Sequence, residues 1–450
     1  MKAKELFFKK ESPDSSTPAM PDFKPVRILE VEIGQPLPAV SAFDATTGQH
    51  YQRARSLVRL HTQPLGVVEL SLGESGLSAE DYARQIWRVL RPEIIEHLQG
   101  DGLPPAIALE AAGLPGAGTP QCAQERETLL ANAPFVSVVI ATHDRPASLA
   151  ACLGSLLSLD YPRYEIIVVD NAPSTNATAD FIRQTSGNLA WVRYVREDRP
   201  GLAMAHNRGL MEVKAPIVAF TDDDVVTDKY WLTELVKGFH VAGNVACVTG
   251  MIFPAELETP AQTWLEQFGG FSKGFNRRIF DRSGNRLNSP LYPYAAGTFG
   301  SGANMAFKTS VLRDIGSFDP ALGAGSAALG GDDLAAFFSI IAGGYRLVYE
   351  PAAIVYHWHR RDYAGLHKQA YSYGVGLTAY LTKCLIDNPG RLLDFAARIP
   401  YGFVYALSPR SPKNSKKLAD YPRELTDVER KGMLYGPFAY LHSRWQARKM

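Results

Sequence analysis

From Phe135 onward the chain alternates two periodicities, and that alternation restricts its fold more than any other feature. "FVSVVIAT" is a short continuous apolar run, as expected of a strand covered on both faces. After it, Leu149, Cys152, Leu153, Leu156 and Leu157 fall at helical spacing. Strand "EIIVVDN", a helix near Ala179, strand "WVRYVRE", a helix from about Leu202 and strand "PIVAF" continue the series. Helix "KYWLTELVKGF" and strand "VACVTG" close it. Alternating strands and helices predict an α/β domain: a mostly parallel sheet flanked by helices. Ligands of such sheets bind outside the carboxyl ends of the strands, so the residues just after each strand carry the functional information.

Three of those ends are polar. Thr142, His143, Asp144, Arg145 and Pro146 follow the first strand, and Asp170 and Asn171 the second. The fourth runs into three adjacent carboxylates, Asp222, Asp223 and Asp224. In an extended chain Asp222 and Asp224 point one way and Asp223 the other. A carboxylate pair suits a hard divalent cation, Mn²⁺ or Mg²⁺; a solvated acidic turn is the bland alternative. "GGDDLAAFF" places Asp332 and Asp333 at a helix start, either as simple caps or with a general base in a mobile glycine-flanked loop. "AAIVYHWHRRD" reads as a strand leading to His357 and His359 on one side, as metal or diphosphate ligands or as satisfied polar groups. Neither G-x-x-x-x-G-K-[ST] nor a G-x-G-x-x-G after the first strand is present, so a metal rather than a glycine cradle would handle phosphate.

At 450 residues the chain predicts two or three domains, and 46% hydrophobic residues exclude a disordered one. A net charge of +1 gives no field for nucleic acid. Cys122, Cys152, Cys247 and Cys384 are scattered without a C-x-x-C, which predicts neither a disulfide framework nor a zinc site, and a reducing cytoplasmic setting. No apolar run predicts a membrane span or a signal peptide. Leu392 to Leu407 reads as a core segment, with a membrane-surface position, peripheral to the inner face of the membrane, as the alternative.

The expected layout is a mobile tail (1–25), an N-terminal α+β accessory domain (26–112), a linker (113–133), the catalytic domain (134–362) and a helical C-terminal extension (363–450). In the accessory domain, strands "VRILEVEIG", "SLVRLH" and "GVVELSL" precede a helix capped by Ser78. That helix carries the stripe Tyr82, Ile86, Leu90, Ile94 and Leu98, and Pro92 is expected to kink it.

The ordered set "SVVIATHDRPASL", "EIIVVDN", "GLAMAHNRGL", "AFTDDDV", "GSGANMAF", "GGDDLAAFFSIIAGGYRLVYEP" and "VYHWHR" resembles the family 2 glycosyltransferases over about Phe135 to Tyr373. The resemblance implies the GT-A fold of nucleotide-diphospho-sugar transferases. It also implies an inverting transfer of a sugar, from a UDP-sugar by preference, to an acceptor hydroxyl. Thr142, His143 and Arg145 would line the nucleotide pocket, and Asp170 would bind the base with Asn171 alongside. Asn207 takes the family's usual Asn position, while His206 stands where the family often has Arg. Asp222 and Asp224 match the D-x-D motif, with Asp224 the principal metal ligand, Asp222 nearer the nucleotide and Asp223 between them at the substrate-binding turn. Gly302, Ala303 and Asn304 would contact the donor sugar. Asp333 takes the base position and Asp332 replaces the commoner Glu. His357 would complete the metal or diphosphate site, with His359 as second choice.

The segment from Trp264 to Tyr294 is the candidate acceptor loop, for a glycan, lipid or small molecule. An oligomer through the N-terminal domain is open, and the C-terminal pattern is that of some bacterial members. A nucleotidyltransferase, a non-catalytic nucleotide-sugar-binding module and a metal hydrolase are the competing readings.

Overall fold

The computed structural model describes residues 20, 23–114, 116, 118–269 and 271–449; most of the expected mobile tail lies outside them. The first sheet pairs β1 (Val26–Glu32) parallel to β4 (Arg53–Leu60), and β4 antiparallel to β5 (Gln63–Ser71). A short hairpin, β2 (Phe43–Asp44) and β3 (Gln49–His50), lies between. Helix α1 (Ala79–Gly100) begins where the Ser78 side chain accepts the Asp81 N–H, as its sequence predicts. Its stripe Tyr82, Ile86, Leu90, Ile94 and Leu98 is buried. Leu90 leaves helical geometry two residues before Pro92, whose ring cannot fit against an unbroken turn.

The main sheet comprises β6 (Val136–Thr142), β7 (Tyr164–Asn171), β8 (Val192–Glu197), β9 (Ile217–Asp222), β10 (Val225–Thr227), β11 (Val245–Pro254), β12 (Arg278–Phe280), β13 (Asn304–Lys308) and β14 (Arg346–His357). Its order is β10-β14-β11-β13-β9-β6-β7-β8, with β12 also on β14. Strands β8, β7, β6 and β9 are mutually parallel, as are β11 and β14. Strand β13, from "GSGANMAF", slots antiparallel between β9 and β11. Its five residues are too short to announce a strand by periodicity, so the expected parallel series is interrupted there.

Both faces of the sheet are covered. Val139, Ala141, Ile167, Val169 and Phe220 pack with α5 (Leu202–Glu212) and α9 (Asp332–Ala342). The alternate residues Val138, Ile140, Ile166 and Val168 pack with α3 (Pro146–Leu156) and α6 (Trp231–Gly238). This double burial is why the strands read as unbroken apolar runs. Between these helices the chain forms α4 (Ala177–Ser186), α7 (Pro260–Phe268) and α8 (Thr309–Asp314). The C-terminal region is helical: α10 (Tyr363–Asp387), α11 (Leu392–Leu407) and α12 (Arg423–Ala447).

Two expectations are corrected. The segment read as a linker contains a helix, α2 (Gln121–Ala131), which buries only Cys122 and Arg126 and so has no apolar stripe to reveal it. The core reading of Leu392 to Leu407 also fails: α11 buries none of its residues, and Leu393, Phe403 and Val404 are exposed.

The N-terminal sheet docks on the main sheet through polar contacts. Arg59 reaches Asp228 and Glu30, both at 2.6 Å, and Tyr356 donates to Glu30. Arg55 Nη1 lies 3.4 Å from Glu266 of α7.

The glycines before Asp332 serve close packing rather than loop mobility. Gly331 has φ +87, and a Cβ there would sit 2.5 Å from the Gly376 carbonyl of α10. Gly331→Ala is therefore expected to destabilise the fold by about 1–3 kcal/mol through overpacking and strain. A melting temperature equal to that of the unaltered chain would show that α9 and α10 need no such contact.

Candidate active site

Strands β6, β7 and β9 end side by side, because β6 pairs with both of the others. Their register aligns Thr142 with Asp170 and Ala141 with Asp222. The aspartate triplet is thereby set against the loop after β6, which supplies its counter-charge. Arg145 Nη1 lies 3.3 Å from Asp223 and 3.6 Å from Asp224, and Thr142 Oγ1 donates to Asp223 at 2.7 Å. Asp223 is thus turned inward and buried, which removes it from the substrate-binding set. The alternation of side chains along the strand separates it from Asp222 and Asp224. Burial, then the neighbouring carboxylates, pushes Asp222 well above the ordinary carboxylate range.

Asp224 faces a relay of side chains. Its Oδ1 is buried without a hydrogen-bond partner, 3.4 Å from His357 Nε2. His357 Nδ1 lies 3.0 Å from His359 Nδ1, and His359 Nε2 lies 3.0 Å from Glu266 Oε1. Burial raises Glu266, but the contact with His359 together with the charges of Arg55 and Lys416 outweighs it and holds the carboxyl below its usual range. Burial, then His359, lowers His357 well below the usual histidine value, so it is neutral. The ionised Glu266 accepts from His359 Nε2–H. His359 Nδ1 and His357 Nδ1 face each other, so Nε2 is the His357 nitrogen turned to the Asp224 carboxylate. A neutral imidazole and the Asp224 carboxylate brought together, with Asp222 beside them, make a donor set that fits a divalent metal. Both nitrogens of His359, the second-choice ligand, are engaged within the chain, by His357 and Glu266.

The second acidic cluster sits at the first turn of α9. Asp333 Oδ2 accepts the Gly302 N–H at 2.9 Å, and Oδ1 the Leu334 N–H at 2.7 Å. Burial, then Asp332, raises its carboxyl to about 6. A Cβ on Gly302 would sit 3.3 Å from the Asp333 Cβ, so this close approach favours glycine. Asp332 contacts His206, with Nδ1 at 3.6 Å from Oδ2, and His206 packs against Phe220 and Phe318. The position where the family often has Arg thus keeps its carboxylate neighbour.

Several other candidates have structural partners. Asn171 accepts the Gly201 N–H and donates to the Arg199 carbonyl. Asn207 exchanges two bonds with the Phe318 backbone. Asn304 is fully buried; it accepts from Trp231 and donates to the Met251 and Ala353 carbonyls. Ala303 is buried, and its carbonyl accepts from Thr221. These four residues hold the walls of the crevice, and of 302–304 only Gly302 lies beside Asp333. Asp170 remains open: Tyr194 donates to one oxygen at 2.9 Å, while the other is buried without a partner. His143 bonds the Asn171 carbonyl at 2.6 Å through Nδ1, and its side chain is otherwise largely exposed.

The structure adds residues that motif reading missed. Phe271 packs on the rings of His357 and His359, with centroids 5.2 and 5.7 Å away. Burial, then Lys416, lowers Lys273 to about 8, and Asp333 acts on it in the opposite direction. Tyr373 of α10 is raised by burial, with Asp333 and Asp224 adding to the shift. Phe271 and Lys273 fall within the flagged 264–294 segment, but single aromatic and basic residues carry no motif.

Residues 137–316 match the family model described as glycosyl transferase family 2. Over those residues the chain is similar to that family. A pre-mycofactocin glycosyltransferase of Mycobacterium tuberculosis is 26% identical over 226 residues, 50% of this chain and 43% of the relative. Glycosyltransferase AglE of Haloferax volcanii is 33% identical over 121 residues, 25% of this chain and 40% of the relative. The chain thus spans less than half the length of these curated relatives. A solved mannosyltransferase, PcManGT from Pyrobaculum calidifontis in complex with GDP-Man and Mn²⁺, aligns over 69% of this chain and 87% of its own. Its identity is 21% and the TM-score 0.44.

If His359 positions His357 in the glycosyltransferase domain, His359→Ala should weaken Mn²⁺ binding by roughly 10–100-fold while the fold persists. A titration followed by electron paramagnetic resonance measures this. Unchanged affinity would remove His359 from the site.

Proposed function

We propose that the chain is an inverting, metal-dependent glycosyltransferase that moves a sugar from a nucleotide-diphosphate sugar, a UDP-sugar by preference, to an acceptor hydroxyl. One observation carries the reading. Buried polar atoms without partners occur at several places among the described residues, and those of Asp170 and Asp224 stand at the carboxyl ends of β7 and β9 on either side of β6, while Asp332, beside His206, lies near enough to act on Asp222. Such a cluster is chemically incomplete without a polar ligand.

Each residue has a role in this reading. The open oxygen of Asp170 accepts an imide N–H of the nucleobase. Asp222, Asp224 and His357 hold Mn²⁺ or Mg²⁺, which when bound would offset the charge on the departing diphosphate. Arg145 keeps the triplet compact and offsets part of its charge. Asp333 accepts the proton of the attacking hydroxyl as the new bond to the anomeric carbon forms and the bond to the diphosphate breaks. One displacement inverts the anomeric centre. The Gly302 and Leu334 N–H groups hold the Asp333 carboxylate in place, and burial tunes it to a base that works near neutrality.

The acceptor would enter beside Phe271, Lys273 and Tyr373. Peripheral contact with the inner face of a membrane is part of this proposal. Helix α11 presents Leu393, Phe403 and Val404 outward, the exposed apolar face of an interfacial helix. No helix among the described residues is long and apolar enough to cross a membrane.

The testing experiment incubates the protein with UDP-, GDP- and dTDP-sugars and Mn²⁺ or Mg²⁺, and follows nucleotide release. Nucleoside diphosphate from a UDP-sugar is the expected product. Release of nucleoside triphosphate and sugar 1-phosphate once pyrophosphate is added would favour a nucleotidyltransferase, and no turnover of any donor would favour a binding module. Asp333→Asn should lower kcat by roughly 10²–10⁴-fold, the usual contribution of a general base. Donor affinity should stay nearly unchanged; equal loss of both would reassign Asp333.

The pH profile follows from the raised carboxyl. A base must be ionised to act, so kcat should fall as pH drops through about 6 and level off above it. A profile flat down to the ordinary carboxylate range would contradict the assignment.

A further inference from the structure

Outside the crevice, four chemically distinctive side chains converge in the N-terminal region: His61, His97, Asp101 and Cys122. We infer that they form a structural zinc site that ties the N-terminal sheet to the sugar-transfer domain.

The geometry is that of a closed ligand set. One ligand atom from each residue lies within 4.8 Å of all the others. His61 Nδ1 is 2.6 Å, His97 Nε2 3.1 Å and Cys122 Sγ 3.1 Å from Asp101 Oδ2. The two histidine nitrogens are 3.2 Å apart. In a tetrahedral zinc site with bonds of about 2.0–2.3 Å, neighbouring ligand atoms stand about 3.3–3.7 Å apart. Shifts of a few tenths of an ångström to about 1 Å would seat the ion.

Hydrogen bonding alone accounts poorly for the cluster. Three potential donors converge on one carboxylate oxygen, which offers about two lone-pair sites. To donate together, both histidines would bring N–H groups head to head. A cation at the centre removes that conflict, with both nitrogens and the thiolate as ligands. Asp101 Oδ1 meanwhile accepts the Cys122 backbone N–H at 2.9 Å, the kind of outer bond that orients a ligating carboxylate. Thiolate, imidazole and carboxylate together suit zinc, and four protein ligands with no open position mark a structural site.

The ligands come from three elements. His61 sits in the β4–β5 turn, His97 and Asp101 at the end of α1, and Cys122 in the first turn of α2. Arg126, one turn further along α2, reaches the His61 carbonyl at 3.1 Å and Glu234 of α6 at 3.4 Å. An ion here fixes the helix that feeds β6 to the N-terminal sheet on one side and the main sheet on the other. Only His97 and Asp101, four residues apart, are near neighbours in sequence, so no spacing motif announces a set that folding assembles.

Cobalt(II) substitution tests this in the full-length chain. Metal-stripped protein titrated with cobalt should develop a thiolate-to-cobalt charge-transfer band and the intense visible bands of tetrahedral cobalt. These should saturate at stoichiometric metal and disappear on adding zinc. Cys122→Ser should lose the charge-transfer band, and His97→Gln should weaken cobalt binding at least tenfold. Asp224→Ala should retain the spectrum, which separates this site from the divalent-cation site of the crevice. No charge-transfer band from the unaltered chain, or a band that survives Cys122→Ser, would overturn the proposal. The unaltered chain alone can decide against it, whether or not a variant folds.

Discussion

Three carboxylates packed at the end of a central strand repel one another, and the crevice is arranged around that repulsion. Arg145, delivered by the neighbouring strand end, draws Asp223 and Asp224 together from one side. His357 closes on Asp224 from the other but, being neutral, supplies no charge. The protein thus answers the three carboxylates with two guanidiniums, Arg145 and, at Asp224, Arg360, leaving carboxylate charge at the position where a divalent cation fits. Burial makes the arrangement sensitive: every carboxylate there binds its proton more tightly unless a cation compensates.

That arrangement extends well beyond the crevice. Arg55 of the N-terminal sheet meets Glu266, Glu266 holds His359, and His359 orients His357 toward Asp224. The accessory sheet is thereby connected to the proposed metal position through a row of polar contacts. On the opposite flank, the contact between Gly331 and Gly376 lets α10 pass directly over the start of α9. Helix α10 therefore brings Tyr373 near the two acidic clusters while α9 presents Asp333. Both flanks place elements remote in sequence against the same few carboxylates.

Much of this was legible in the chain. The strand series, the kinked α1 with its apolar stripe, the inward turn of Asp223 and the acidic first turn of α9 all follow from local periodicity and capping. Elements without a local signal were not legible. Strand β13 is short and runs against its neighbours, α2 lacks an apolar stripe, and α11 looks like core because it is rich in Leu, Phe and Val. Among site residues, Asn171, Asn207 and Asn304 lie at the expected positions, but their amides bond to backbone and to Trp231. Residue type and motif position cannot distinguish an amide that meets a ligand from one that braces a wall.

The sequence by itself determined an α/β sheet domain with carboxylates at its strand ends, because strand and helix periodicities and side-chain alternation are local properties. Only the tertiary structure decided which of two histidines faces Asp224, and that a cysteine, two histidines and an aspartate far apart in the chain meet in the N-terminal region. Such choices depend on distances of a few ångströms between elements remote in sequence, and those distances arise only when the sheets and helices have packed.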